Sequence, residues 1–175
     1  MPATRDGWTA VDLGPVGRVA CPPGWVAEAI GPDSASGAAA APDGKARLIA
    51  HAVVHGADAD GTDFGGRMEA AAERVIGHLS GRAGAEPPKA LALEGAAQPI
   101  LEISGAFFDD AETPRVRIRQ WHALAPLDAD ARRIAIIAFS LMTPALASMA
   151  ASADLADGFK DSLRQTAAML SNGGI

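Results

Sequence analysis

The feature that most constrains the fold is the segment at residues 132–142, late in the chain, whose residues 134–139, 141 and 142 are apolar. Because six of these apolar side chains are consecutive, a β-strand built from the segment would be apolar on both faces. A strand with one face in water alternates apolar and polar residues, whereas a continuous apolar run is typical of a strand covered on both sides. We therefore expect residues 132–142 to form a central strand between two other layers.

The preceding segment, residues 115–122, alternates and predicts a partly exposed strand. Its arginines fall on one face, and Val116 and Ile118 fall on the other. Residues 126–130, Pro-Leu-Asp-Ala-Asp, are typical of a turn that joins the two strands as a hairpin. Antiparallel pairing of 115–122 with the central strand is the simplest arrangement.

Two amphipathic helices are predicted. Residues 64–80 repeat apolar side chains at three- and four-residue spacing, with Thr62 or Asp63 as a possible cap and Gly81 at the end. The second helix begins at Ser152 or Asp154 and ends at residues 172–174. Its inward stripe consists of Leu155, Phe159, Leu163, Thr166 and Leu170.

The remaining segments predict short strands and their connections. Residues 31–44 are rich in Gly, Ala, Ser and Pro and predict a loop, and residues 109–114 predict a turn. Thr143 and Pro144 are expected to open a short helix that reaches Met149. The further predicted strands are residues 8–13, 16–21, 25–30, 45–54, 90–94 and 100–105.

This order of elements predicts an α+β fold, an antiparallel β-sheet with helices packed on it, because both helix stripes must be buried. Repeated βα alternation is missing, which argues against a Rossmann-type sheet. The chain has 175 residues, a length that favours one domain over 1–175 with a core at about 16–171.

The net charge and the cysteine content argue against several classes of function for this protein. Fifteen Lys and Arg against 21 Asp and Glu give a net charge of −6, which argues against nucleic-acid binding and against anionic membranes. The single cysteine, Cys21, excludes an intrachain disulfide and fits a reducing compartment. No apolar stretch is long enough to span a bilayer, and the first residues have no apolar secretion core. We therefore expect a cytoplasmic protein that does not insert into membranes.

The segment Cys21-Pro22-Pro23-Gly24-Trp25 predicts a strand, a tight turn and a second strand anchored by the tryptophan. Together with the element order over residues 16–171, this Pro-x-Gly-Trp-like motif resembles the Mog/PsbP-like fold family, an α/β/α sandwich that includes the bacterial DcrB- and LpqN-type proteins. The resemblance implies an accessory, assembly or binding protein and not an enzyme. It implies no catalytic residues, no cofactor and no metal, and it assigns Phe159 and Leu163 to packing on the sheet.

The histidines and the cysteine are weak candidates for chemistry. His51 and His55 share a strand face but lie four residues apart, about 13 Å along a strand, and His78 or His122 could approach either of them. A mixed metal site is conceivable, although ordinary surface histidines explain the pattern better. Nothing in the sequence lowers the pKa of Cys21, so a structural role is expected.

The sharpest polar feature is a strip on one strand face, formed by Arg115, Arg117 and Arg119 and extended by Trp121. It could bind an acidic partner, with charge-assisted contacts from the arginines and an apolar anchor from the tryptophan. The simpler interpretation, which the alternation by itself favours, is a solvated face whose arginines form cross-strand ion pairs, for example with Glu102 or with Asp residues.

Three functions follow from these patterns. The leading hypothesis is a non-catalytic accessory or assembly protein that binds an unknown protein partner through an exposed sheet face or a loop rim. The alternatives are a small-molecule or metal-binding module near His51, His55 and His122, and a homo-oligomeric structural protein, with a homodimer as one possible form.

Overall fold

The computed structural model describes residues 5–30, 35–57, 63–82, 84–93, 99–109, 111 and 115–172. Within these residues lie nine strands, two α-helices and one short 3₁₀ helix, Gly14–Val16. The strands are β1 (Thr9–Asp12), β2 (Arg18–Cys21), β3 (Val26–Glu28), β4 (Ser36–Ala40), β5 (Arg47–Gly56), β6 (Lys89–Leu93), β7 (Ile100–Asp109), β8 (Val116–Pro126) and β9 (Arg133–Pro144). The helices are α1 (Phe64–Ser80) and α2 (Met149–Ser171).

Seven strands form one antiparallel sheet in the order β3-β4-β5-β9-β8-β7-β6. Strands β1 and β2 form a separate two-stranded sheet. β9 lies in the middle of the large sheet, and its alternate side chains pack in opposite directions: Phe139 belongs to the core cluster that contains α2, and Ile134 to the cluster that contains α1. The prediction of a central strand covered on both faces is confirmed, and so is the α+β class.

The helix α2 and the β1–β2 sheet cover one face of the large sheet. Phe159 and Leu163 are fully buried there, as the resemblance implied. The rings of Trp8 and Trp25 each lie 5.3 Å from the ring of Phe159, centroid to centroid, and both pairs are tilted. Tilted aromatic pairs at this separation have a favourable geometry. Phe159 therefore joins the small sheet and the turn before β3 to α2.

The helix α1 covers the opposite face, over β7 and β8. Its N-cap is Asp63, whose carboxylate accepts a hydrogen bond from the backbone N–H of Gly66 at 2.8 Å, and Gly81 follows its last turn. Thr62, the other predicted cap, lies outside the described residues. Among the residues that the structure describes, no helix combines the length and the apolar character that crossing a bilayer requires.

The turn between β2 and β3 has the predicted form. The backbone N–H of Trp25 donates to the carbonyl of Pro22 at 3.2 Å, and Gly24 has a φ of +80°, which favours glycine. Because β2 belongs to the small sheet and β3 to the edge of the large one, this turn carries the chain from one sheet to the other.

Strand β4 corrects the prediction of a loop at residues 31–44, whose residues 31–34 lie outside the description. Its Ser-Gly-Ala-Ala-Ala sequence has low β propensity, but it is paired on both sides, with β3 and β5. A Cβ at Gly37 would lie 2.1 Å from the carbonyl oxygen of Leu13. Glycine at position 37 therefore lets the backbone at Leu13 pack directly against β4. Hydrogen bonding to β3 and β5, and not local sequence preference, therefore stabilises β4 as a strand.

The expected short helix at residues 143–149 is also wrong. β9 continues to Pro144, which pairs with Val116, and α2 begins at Met149, before the predicted Ser152. Proline is tolerated where no ladder N–H is needed, as at the end of a strand. Pairing with β8 therefore decides the conformation of Thr143 and Pro144.

Candidate binding cleft

Three of the four residues of the predicted strip line one cleft. Arg117, Arg119 and Trp121 project from β8 on its α2 side, where the cleft opens between β7 and the first half of α2. The cavity has a volume of 320 Å³. Its other charged residues are Glu86, Lys89, Asp157 and Lys160. We refer to this cavity as the Arg119 cleft.

Arg115 does not line the cleft. It precedes β8 and is exposed, and its guanidinium lies 4.0 Å from the centroid of the Phe108 ring. A guanidinium at this distance from an aromatic face forms a cation–π contact. The guanidinium of Arg117 lies 5.8 Å from the centroid of the same ring, so Arg115 is a neighbour of Arg117 that stays outside the cleft.

The charges in the cleft are only partly paired. Arg117 donates from Nη2 to Oε1 of Glu86 at 2.9 Å, and the ammonium of Lys160 lies 3.3 Å from Oδ1 of Asp157. Among the described residues, Lys89 and Arg119 make no ion pair. The cleft thus combines four cations with two carboxylates and keeps a local excess of two positive charges in an acidic protein.

The guanidinium of Arg119 is part-buried and weakly bonded. Its Nη1 lies 3.5 Å from the backbone carbonyl oxygen of Ser152, the long limit of a hydrogen bond. Burial lowers the pKa of Arg119 below its usual value, and the charge of Arg117 lowers it further, while Glu86 and Asp157 act in the opposite direction. Arginine stays protonated at any physiological pH, so this group presents a fixed charge and spare donors to the cleft.

Glu102, the example of a cross-strand partner in the competing interpretation, does not pair with the strip. Glu102 is buried and accepts two hydrogen bonds from Arg164 of α2, at 2.5 Å to Nε and 3.1 Å to Nη2. Two parallel N–H···O bonds of this kind give a strong and well-oriented pair. Glu102 is therefore occupied in fixing α2 on the sheet and does not neutralise the strip.

Trp121 is a wall of the cleft and also part of the core. It is 6% exposed and belongs to the cluster that includes Phe159. This burial differs from the expectation of an exposed apolar anchor, since only a small part of the ring can meet a partner. The buried ring of Trp121 mainly anchors β8, the strand that also carries Arg119, to the core.

The histidines have separate partners. Nδ1 of His51 lies 2.8 Å from Oγ of Ser36, and His55 contacts Arg74. His122 is buried beside His78, with ring centroids 6.3 Å apart. His51 and His122 flank Ala138 in one cross-strand row, about 10 Å apart at the usual strand spacing. In the described part of the chain, no group of three or more His, Cys, Asp or Glu side chains could hold a metal ion.

Cys21 lies in the core with no exposed surface, and burial raises its pKa to about 12. The thiolate is the nucleophilic form of cysteine, so this thiol is inert at neutral pH. The structure assigns it to packing, in agreement with the sequence analysis.

A second depression, of 490 Å³, lies on the α1 side of the sheet between β5, β7, β8 and β9. Ile49, Ile118 and Met142 contribute to its apolar floor. Its cation, Arg82, lies 5.3 Å from the ring centroid of Phe107 and is engaged there. Of these two cavities, the Arg119 cleft is the one whose described cations include two without an ionic partner.

Lys89 and Lys160 are cleft residues that the sequence analysis missed. Lys89 pairs with Ser104, and Ser104 pairs with Trp121, so the register of three strands brings this lysine to the same face as Arg119. Lys160 reaches the cleft from α2. No local signal in the sequence links positions so far apart, because register and helix docking create the cluster.

Comparison with known proteins agrees with this architecture. No protein-family model matches the sequence, and no curated protein matches it. Among solved structures, the fold is similar to LpqN of Mycobacterium tuberculosis, which is involved in cell envelope biogenesis. The TM-score is 0.51 at 12% sequence identity, over 84% of this chain and 79% of LpqN. The LpqN-type resemblance predicted from the sequence is thus confirmed at the level of the fold.

Proposed function

We propose that this chain is a non-catalytic accessory or assembly protein that binds a protein partner through the Arg119 cleft. The observation that carries the proposal is the convergence of Arg117 and Arg119 with Lys89 in one open cavity, where two cations have no ionic partner among the described residues. Charged side chains left unneutralised in a cleft favour association with a surface of opposite sign.

The chemistry of the cleft supports binding more than catalysis. Its two arginines hold anions through a fixed charge and a planar set of donors. The thiol of Cys21 is buried elsewhere in the core with a raised pKa. The likeness to LpqN, a protein involved in cell envelope biogenesis, is compatible with an accessory role. The cytoplasmic location expected from the sequence stays part of this proposal.

Arg117 and Arg119 line the cleft and Arg115 does not, so variants of these arginines provide a matched experiment. The double variant Arg117→Gln/Arg119→Gln removes two charges from the cleft, whereas Arg115→Gln and Arg18→Gln remove arginine charges outside it. Tagged proteins are used to capture partners from lysate of the source cells, and the captured proteins are quantified by mass spectrometry. We expect one set of proteins to be lost with the double variant and retained with both controls.

Capture that is equal for the double variant and the wild type would exclude the cleft as the partner site. Equal losses with Arg115→Gln would show that total charge, and not the cleft, decides binding. Circular dichroism and the thermal midpoint of each variant confirm that the fold is intact before capture.

A further inference from the structure

The group that the cleft recognises can be inferred from its donors. Arg119 has five N–H donors on a planar fork, and its described acceptor is one carbonyl oxygen at 3.5 Å. Lys89 lines the same cavity without an ionic partner among the described residues. A planar fork beside an ammonium matches an oxyanion that can accept several hydrogen bonds at once.

The charge balance of the walls favours an anion. Glu86 and Asp157 line the cleft as well. They offset two of the four cations, and the remaining excess of two positive charges attracts an anion. This attraction acts on a carboxylate and on a phosphate alike. The choice of a carboxylate follows from the proposed protein partner, whose acidic side chains and C-terminus carry that group.

The apolar part of the cleft indicates what carries the carboxylate. Pro87, Ala106, Ala156 and Trp121 line the cavity beside the charged groups. They can cover a short aliphatic stem, while the volume of 320 Å³ lies at the low end of ligand cavities. The site has room for one side chain or one chain end, and not for a large cofactor.

We infer that the Arg119 cleft binds a single peptide carboxylate, with Arg119 as its bidentate partner and Lys89 as a second donor. The inference rests on the proposed function, since it names the chemical group by which the partner is held. An acidic side chain and a free C-terminus present the same chemistry, and the experiment separates these two sources.

The test is a titration followed by backbone amide NMR of the whole chain. The first probe is a short alanine peptide, acetylated and amidated, with one central glutamate. The second replaces that glutamate by glutamine, and the third is the glutamine peptide with a free C-terminal carboxylate. Inorganic phosphate is the fourth. The reporters are the amides of Ser104–Ala106 and of residues 117–121.

We expect saturable shifts of these amides with the first or the third peptide and none with the second. Arg119→Gln should weaken the binding at least tenfold, and Arg119→Lys, which keeps the charge but loses the fork, should restore only part of it. Arg115→Gln should bind as the wild type does, because Arg115 lies outside the cleft. Whichever carboxylate peptide binds identifies the source.

Four results would overturn the inference: no saturable shift with either carboxylate peptide, equal shifts with the glutamine amide peptide, tighter binding of phosphate than of either carboxylate peptide, or binding that is unchanged in Arg119→Gln. The two proposals fail separately. Partner capture that depends on the cleft, without carboxylate binding, refutes the carboxylate assignment alone. Carboxylate binding with partner capture that ignores the cleft refutes the proposed function alone.

Discussion

At the scale of single residues, His122 shows how burial changes a side chain that the sequence presents as ordinary. The sequence makes it a candidate metal ligand, but its side chain is buried, 8% exposed, between the sheet and α1. Burial, together with the smaller effect of the nearby His78, lowers its pKa from 6.5 to about 4. The imidazole is therefore neutral in the folded protein at neutral pH.

This shift predicts a loss of stability in mild acid. Between pH 6.5 and about 4 the unfolded chain binds a proton at His122 that the folded chain does not, so the free energy of unfolding falls as the pH decreases. The contribution of neutral His122 to the free energy of unfolding is fully present above pH 6.5, the pKa of histidine in the unfolded chain. It amounts to about 3 kcal/mol and is lost as the pH falls to about 4. Urea unfolding at several pH values measures it.

The variant His122→Gln should flatten this pH dependence, whereas His51→Gln, a half-buried histidine on the same sheet face, should keep the wild-type slope. An unchanged slope in His122→Gln would assign the acid sensitivity to other groups.

At the scale of elements, α2 depends on close contacts that its amphipathic pattern does not reveal. The stripe of Phe159 and Leu163 was visible in the sequence. The role of Gly158 was not: a Cβ at this position would lie 2.2 Å from Cη2 of Trp8. A glycine inside a helix reduces stability by about 0.5–1 kcal/mol relative to alanine, so here close packing with Trp8 offsets a loss of helix propensity.

We therefore predict that replacing glycine by alanine has opposite effects on stability in the two helices. Gly158→Ala should destabilise the fold by about 1–3 kcal/mol, because the methyl group displaces Trp8 from Phe159. Gly77→Ala in α1 has no atom within 4 Å of the new methyl group and should stabilise by about 0.5–1 kcal/mol. Thermal and urea unfolding of both variants measure the difference. Stabilisation by Gly158→Ala would contradict the packing of Trp8 on α2.

At the scale of the whole molecule, one sheet separates two apolar clusters. The three tryptophans, Trp8, Trp25 and Trp121, all contact the cluster on the α2 side. The cluster on the α1 side contains none of them. Both clusters take side chains from β8 and β9, so neither can lose its packing without disturbing strands that the other uses.

We therefore predict that the chain unfolds as one cooperative unit, as expected for a single domain. Tryptophan fluorescence reports the α2 side, and hydrogen exchange of the amides of α1 reports the opposite side. The free energies from the two measurements should coincide. A clearly lower value for α1 would show that this layer opens independently and would argue against one cooperative domain.

The sequence determined the parts of this protein that depend on local periodicity. The double apolar face of 132–142 required a covered central strand, the helical stripes required burial, and alternation placed Arg117, Arg119 and Trp121 on one face. Only the tertiary structure decided β4, the length of β9 and the make-up of the cleft. These depend on strand register and helix docking, which bring Lys89 and Lys160 to the cleft of Arg119, leave Arg115 outside that cleft and join Glu102 to Arg164. The physical reason is that pairing and close packing link residues far apart in the chain, where no short-range pattern records the contact.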